Sequence, residues 1–282
     1  MEGGDFIECN FEGARLNGCR FEGTCFRNCI FRRATLSDVL LKEVEAENAD
    51  FASAALPAMR VEGGVWVACR FVGANLSGAQ MVRCLFRNPD FTQARLVGAS
   101  LVRVDLSRLR LPKADFSGCT LTDSDFSQGV FPEAVFRNIM AQGVDFTETN
   151  LEGTCFAGAR APHADFSRSN LQGADFREAH LPRACLEGAN LKGANFSLAD
   201  LSCARCEGAQ ASGAQFLRTR LPYADLAHAD LTGADFSEAN LEFGNVHATI
   251  DHGTKWFETI LKGVKRTDLK LLKAENWRRE GG

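Results

Sequence analysis

Four aspartates, Asp105, Asp125, Asp145 and Asp165, recur every twentieth residue, and a hydroxyl residue follows each two places later: Ser107, Ser127, Thr147 and Ser167. Carboxylates in such a row can act as acids or bases, or present a negative surface. Eleven cysteines and five histidines add nucleophiles and metal ligands to the inventory. Cys203 and Cys206 spell Cys-x-x-Cys, a redox or zinc spacing, but no second pair accompanies them. His163, His180, His228, His247 and His252 show no metal-ligand spacing, and no phosphate-binding glycine loop or nucleophile motif occurs. These spacings predict no catalytic residue, no metal and no cofactor, so the chain reads as a non-enzyme.

What must position these groups is a strict period of five. Counting in fives from Phe6 to Val246 gives 49 positions, of which 44 hold Leu, Phe, Met, Val or Trp; the exceptions are Ala46, Ala141, Ala161, Cys206 and Ala211. Of the 49 residues two places earlier, 41 are Ala, Cys, Gly, Ser or Thr. Neither an α-helix nor a flat strand keeps a period of five on one side. A coil that runs extended for about three residues, turns a corner and repeats does so, with each large centre on a shared axis and the small residue near a corner. Glycines two after a centre (Gly153, Gly173, Gly188, Gly193, Gly233) suit those corners.

Copies such as Ala114-Asp115-Phe116-Ser117-Gly118, Ala189-Asn190-Leu191-Lys192-Gly193 and Ala234-Asp235-Phe236-Ser237-Glu238 resemble the pentapeptide-repeat family. The resemblance implies an all-β solenoid, a right-handed quadrilateral β-helix with four pentapeptides (20 residues) per coil, hence about twelve coils and a rod of roughly 58 Å. Pro162, Pro182 and Pro222 share one lane at a lag of twenty, and Pro112 and Pro132 another, which independently favours that coil length. The expected division is a β-helix over residues 1–250 and a capping or docking tail over 251–282.

No run of eighteen apolar residues occurs, so no membrane span is expected. The start lacks the pattern of a secretory signal, which points to the cytoplasm. Cys9, Cys19, Cys29, Cys69, Cys84 and Cys119 occupy the small inward position, where cysteine serves as a small hydrophobe. Cys9 and Cys29 stack one coil apart, near enough to bridge, but a reducing cytoplasm argues against a disulfide.

Function then falls to the outward positions. The Asp105, Asp125, Asp145, Asp165 column is a candidate acidic face, with local backbone hydrogen bonding as the plainer role. Asn150, Asn170, Asn190 and Gln210 form an amide column beside it. Val67, Val82 and Val102 mark a candidate apolar contact lane. Some relatives resemble duplex DNA in size and negative surface and bind type II topoisomerases in its place. Against that reading, residues 1–250 carry 31 acids and 24 bases, and Arg160, Arg205 and Arg220 sit where a mimic would carry Asp.

Two regions depart from the repeat. Residues 38–48 carry Val39 and Val44 at small positions and Ala46 as a centre, predicting a distorted coil or a helical bulge. In the tail, Trp256, Phe257, Ile260, Leu261 and Val264 suit a helix face, and Leu269, Leu272 and Trp277 a second, although Trp256 and Leu261 stay in phase with one further coil. Trp256, Phe257, Ile260, Leu261 and Trp277 are candidate docking or capping residues, and a rod end is a candidate homodimer contact. The sequence therefore predicts a scaffold that binds a protein partner, with no direct nucleic-acid binding. Long members of this kind also occur as accessory or effector proteins of bacterial secretion systems. Binding and protecting or inhibiting DNA gyrase or topoisomerase IV by mimicry of DNA is the alternative.

Overall fold

The structure is a computed structural model that describes the backbone of residues 3–279 and side chains as far as Glu275. The five-residue period becomes a quadrilateral β-solenoid with a lag of twenty. Strands β1 (Asp5–Ile7), β3 (Cys25–Arg27), β5 (Glu45–Glu47), β7 (Val65–Val67) and β9 (Leu85–Arg87) form one parallel sheet. Strands β2 (Arg20–Glu22), β4 (Leu40–Lys42), β6 (Arg60–Glu62), β8 (Gln80–Val82) and β10 (Ser100–Val102) form the adjacent one. Register is i to i+20 throughout, as in Phe6 opposite Phe26 and Leu101 opposite Met81.

Twelve uniform strand-bearing coils do not follow. Three-residue strands occupy only the first five levels of each sheet. The other two faces, and every face beyond β10, pair by single-residue parallel bridges, the last joining Asn245 to Lys265. Local chemistry accounts for the bridges. The centre residue donates its N–H up the stack, as Phe126 does to Asp145 O (2.8 Å), and the residue before it donates down, as Asp125 does to Val104 O (3.0 Å). The corner residue two after the centre also donates upward, as His163 does to Pro182 O (3.0 Å). Only one residue per side lies flat enough to pair in both directions.

Corners are set by the coil rather than by glycine. Every third residue of the five, from Gly3 to Gly263, has a left-handed φ, and 33 of these 53 residues are not glycine. Glycine eases a corner but is not what makes one.

The axis is solid. Phenylalanines stack face to face at coil spacing: Phe31, Phe51, Phe71 and Phe91 at 4.6–5.1 Å on one side. On another side the column runs from Phe116 through Phe136 and Phe156 to Phe236. Offset aromatic stacks of this kind add to plain area burial.

Two expectations are corrected here. Residues 38–48 are regular, with β4 and β5 in register, because Ala46 lies between Phe26 and Trp66 in adjacent coils. A small centre there makes room for the indole, the largest fully buried side chain. Residues 256–264 are not helical. Trp256 extends the phenylalanine column, 4.7 Å from Phe236, and Leu241 donates to Ile260 O, so one further coil is present. The one helix among the described residues, α1 (Leu269–Arg279), follows it, with Asp268 as its cap: Oδ1 accepts the N–H groups of Lys270 (2.8 Å) and Leu271 (3.2 Å). No helix is long and apolar enough to cross a membrane among the described residues.

Candidate functional site

Where sides pair by single bridges and the residue before the centre is Asp or Asn, its Oδ1 accepts the N–H of the residue just after the centre. Asp105, Asp125, Asp145 and Asp165 take the N–H of Ser107, Ser127, Thr147 and Ser167 at 2.8–3.0 Å, and the same bond recurs at Asp90, Asp115, Asn190 and Asp235. Where proline occupies the position after the centre, there is no N–H to satisfy. The residue two before it is then Ala55, Arg110, Val130, Arg160, His180 or Arg220, never Asp or Asn. One hydrogen-bond requirement thus explains both the aspartates and the proline lanes.

The aspartate column is therefore structural through Oδ1 and free to act outward through Oδ2. The four residues are bridged in successive coils and half-buried. The face is not uniformly acidic. Along the neighbouring corner, Arg108 donates to Gln128 (3.0 Å), Gln128 to Glu148 (3.4 Å) and Arg168 to Glu148 (2.9 Å). The column ends at Cys185 and Arg205 on one side and Leu85 on the other. The amide column is a ladder in part: Asn190 donates to Asn170 (2.9 Å) and Asn170 to Asn150 (3.2 Å).

The apolar lane is divided by the fold. Val82 and Val102 are partners in β8 and β10, both half-exposed, but Val67 lies in β7 on the adjacent face. The five-residue period places all three outward, and only the lag of twenty assigns them to faces.

Side chains with shifted acidity are structural. Burial pushes the thiols of Cys69, Cys84, Cys119 and Cys206 up to about 12, whereas Cys203 is exposed. Asp50 is 6% exposed. Burial opposes its ionisation, yet the Ala52 N–H (3.0 Å), Arg32 (2.6 Å) and Arg70 (3.1 Å) together hold its carboxyl below the ordinary range. For Asp175, Arg177 at 2.7 Å is the main cause of the same shift.

The tail residues separate. Trp256 and Leu261 are half-buried on the last coil, whereas Phe257 (66% exposed) and Ile260 (49%) project outward. The side chain of Trp277 lies outside the described residues. Helix α1 leaves the rod end and lies along a side face, where Leu271 joins Ala227, Asp225 and Asn245 around a groove of about 530 Å³. There the structure assembles a group that sequence spacing does not show: His247 Nε2 and His228 Nε2 lie 3.3 and 3.4 Å from Glu275 Oε2. Nineteen residues separate the histidines, which is one coil less one position, and that lag was the available signal.

The family described as pentapeptide repeats matches overlapping segments from 69–108 to 212–246, and a second description of pentapeptide repeats matches 6–45. A search of curated proteins finds no match. Among solved structures, HetL, a pentapeptide repeat protein involved in heterocyst differentiation regulation in the cyanobacterium Nostoc, is 22% identical. The alignment covers 92% of this chain and 90% of that one, at a TM-score of 0.26. QnrB1, a plasmid-mediated fluoroquinolone resistance protein, is 17% identical over 88% of this chain and 100% of that one (TM-score 0.23). Rfr23 from the cyanobacterium Cyanothece is 18% identical over 60% and 88% (TM-score 0.23).

Proposed function

The chain belongs to the pentapeptide-repeat family, and from that premise we propose that it is a non-catalytic scaffold binding a protein partner through its outer faces. The observation that supports this reading is the filled axis. Centre residues from Phe26 to Leu241 are at most 4% exposed, so the interior has no room for a substrate and recognition falls to outward side chains. Eleven free thiols suit a reducing compartment, which favours the cytoplasm. The contact face we favour is the one bearing Val82 and Val102, since adjacent half-exposed valines bury apolar area on docking at little polar cost.

A second reading keeps the alternative of a DNA mimic acting on a type II topoisomerase, supported by the stacked Oδ2 atoms of Asp105, Asp125, Asp145 and Asp165. One comparison separates the two. A partner captured from the native cell should be lost with Val82→Glu plus Val102→Glu, kept with the fourfold Asp→Asn variant, and held at raised salt, because apolar burial is not screened. Wild-type protein should leave gyrase supercoiling unchanged, with or without a quinolone. Inhibition or protection that disappears in the Asp→Asn variant would replace the first reading by the second.

A further inference from the structure

We propose that His228, His247 and Glu275 form a binding site for a divalent metal ion of the zinc class, which fastens α1 to the side of the β-helix. The three ligand atoms lie within 4.8 Å of one another. The two histidine–glutamate separations, 3.3 and 3.4 Å, match the edge of a tetrahedron whose metal–ligand bonds are about 2.0–2.1 Å long, roughly 3.4 Å. Two borderline imidazoles with one carboxylate make a donor set that suits zinc, and they leave a fourth position open.

The rings are held from different coils. His228 stands at a left-handed corner. His247, 6% exposed, lies on the next coil, edge-to-face with it at 5.4 Å. Glu275 comes from the second turn of α1 and is half-buried. The site is thus built only when the helix is docked.

Among the described residues, little else docks the helix. Leu269 and Leu271 are 69% and 49% exposed, and an isolated helix of eleven residues is marginal in water. Without metal, Glu275 Oε2 accepts from His247 Nε2 (3.3 Å) and lies 3.4 Å from His228 Nε2. The Asp268 N–H donates to His247 Nδ1 (3.1 Å), which leaves the ring proton on Nε2. Metal at His247 Nε2 requires that proton on Nδ1 instead, so the Asp268 hydrogen bond is exchanged. Asp268 is exposed and its N–H can turn to water, so the Asp268–His247 and His247–Glu275 hydrogen bonds are given up for three coordinate bonds. Lys265 and Arg266 also line the groove and repel a cation, while Asp225, Glu207 and Asp268 attract it.

The test uses the full chain stripped with a chelator, titrated with Zn²⁺ by calorimetry and with Co²⁺ by visible absorption. One equivalent should bind, with the intense visible band of tetrahedral cobalt. His228→Ala and Glu275→Gln should each weaken binding by on the order of 100-fold, and Cys203→Ser should leave it unchanged. Zn²⁺ should also protect α1 from limited proteolysis in the wild type and not in Glu275→Gln, a helix substitution that leaves the β-helix core untouched. Binding that survives both site variants, binding lost in Cys203→Ser, or no stoichiometric binding would overturn the proposal and leave the trio a hydrogen-bonded clasp.

Discussion

Gly64 shows how tightly a single residue is held in this fold. Its φ is +97°, and a β-carbon there would lie 2.3 Å from Val44 O. Gly64→Ala should therefore lower stability by about 2–3 kcal/mol. Gly193→Asn, at a corner with open space and φ of +65°, should cost under about 1 kcal/mol. Chemical denaturation of both variants checks this, and equal losses would mean that corner strain, not the Val44 contact, dominates. Asp50 sets a second expectation. Its carboxyl is held below its ordinary 3.8, so the stability it contributes is complete above that value and is lost as pH falls through the lowered one. Asp50→Asn keeps the Ala52 bond but leaves Arg32 and Arg70 without their shared anion. It should cost about 1–2 kcal/mol at pH 7, and the difference from wild type should shrink below pH 4.

At the scale of one coil side, the pairing of Asx residues with outward N–H groups is testable by a cycle. Asp105→Ala removes the acceptor of Ser107 N–H and should cost about 0.5–1.5 kcal/mol, less if water reaches the amide. Asp105→Asn keeps the acceptor and relieves like-charge repulsion along the column, so its thermal midpoint should equal or exceed that of wild type. Ser107→Pro added to Asp105→Ala should recover part of the loss, because the orphan donor is gone, as at Arg110 and Pro112. A double variant less stable than Asp105→Ala alone would sink the explanation of the proline lanes.

For the whole molecule, the last coil and α1 have separable roles. Deleting residues 251–282 strips Trp256 from Phe236 and Leu261 from Leu241, core residues that are otherwise fully buried, and should cause aggregation where the full chain is monodisperse. Deleting only 269–282 leaves that coil in place and should leave solubility unaltered. Light scattering distinguishes them: aggregation of both would mean that the helix covers the end, and solubility of both that neither is needed there.

The period of five, read from Leu181, Leu186, Leu191, Phe196 and Leu201, was sufficient for the solenoid, because a core with one centre per side tolerates no slip of phase. Corner glycines and inward cysteines were legible for the same reason. The tail was not: Trp256, Ile260 and Val264 satisfy a helical spacing while Trp256 and Leu261 satisfy the coil, and only stacking on Phe236 decides between them. Residues 38–48 looked irregular because Ala46 finds its complement, Trp66, a full coil away. Which outward lanes share a face follows from the lag of twenty, which the register of β8 and β10 bears out and which parts Val67 from Val82 and Val102. The meeting of His228, His247 and Glu275 was decided by the tertiary structure, since it needs both the stacking of coils and the return of α1 along the rod, and a linear spacing encodes neither.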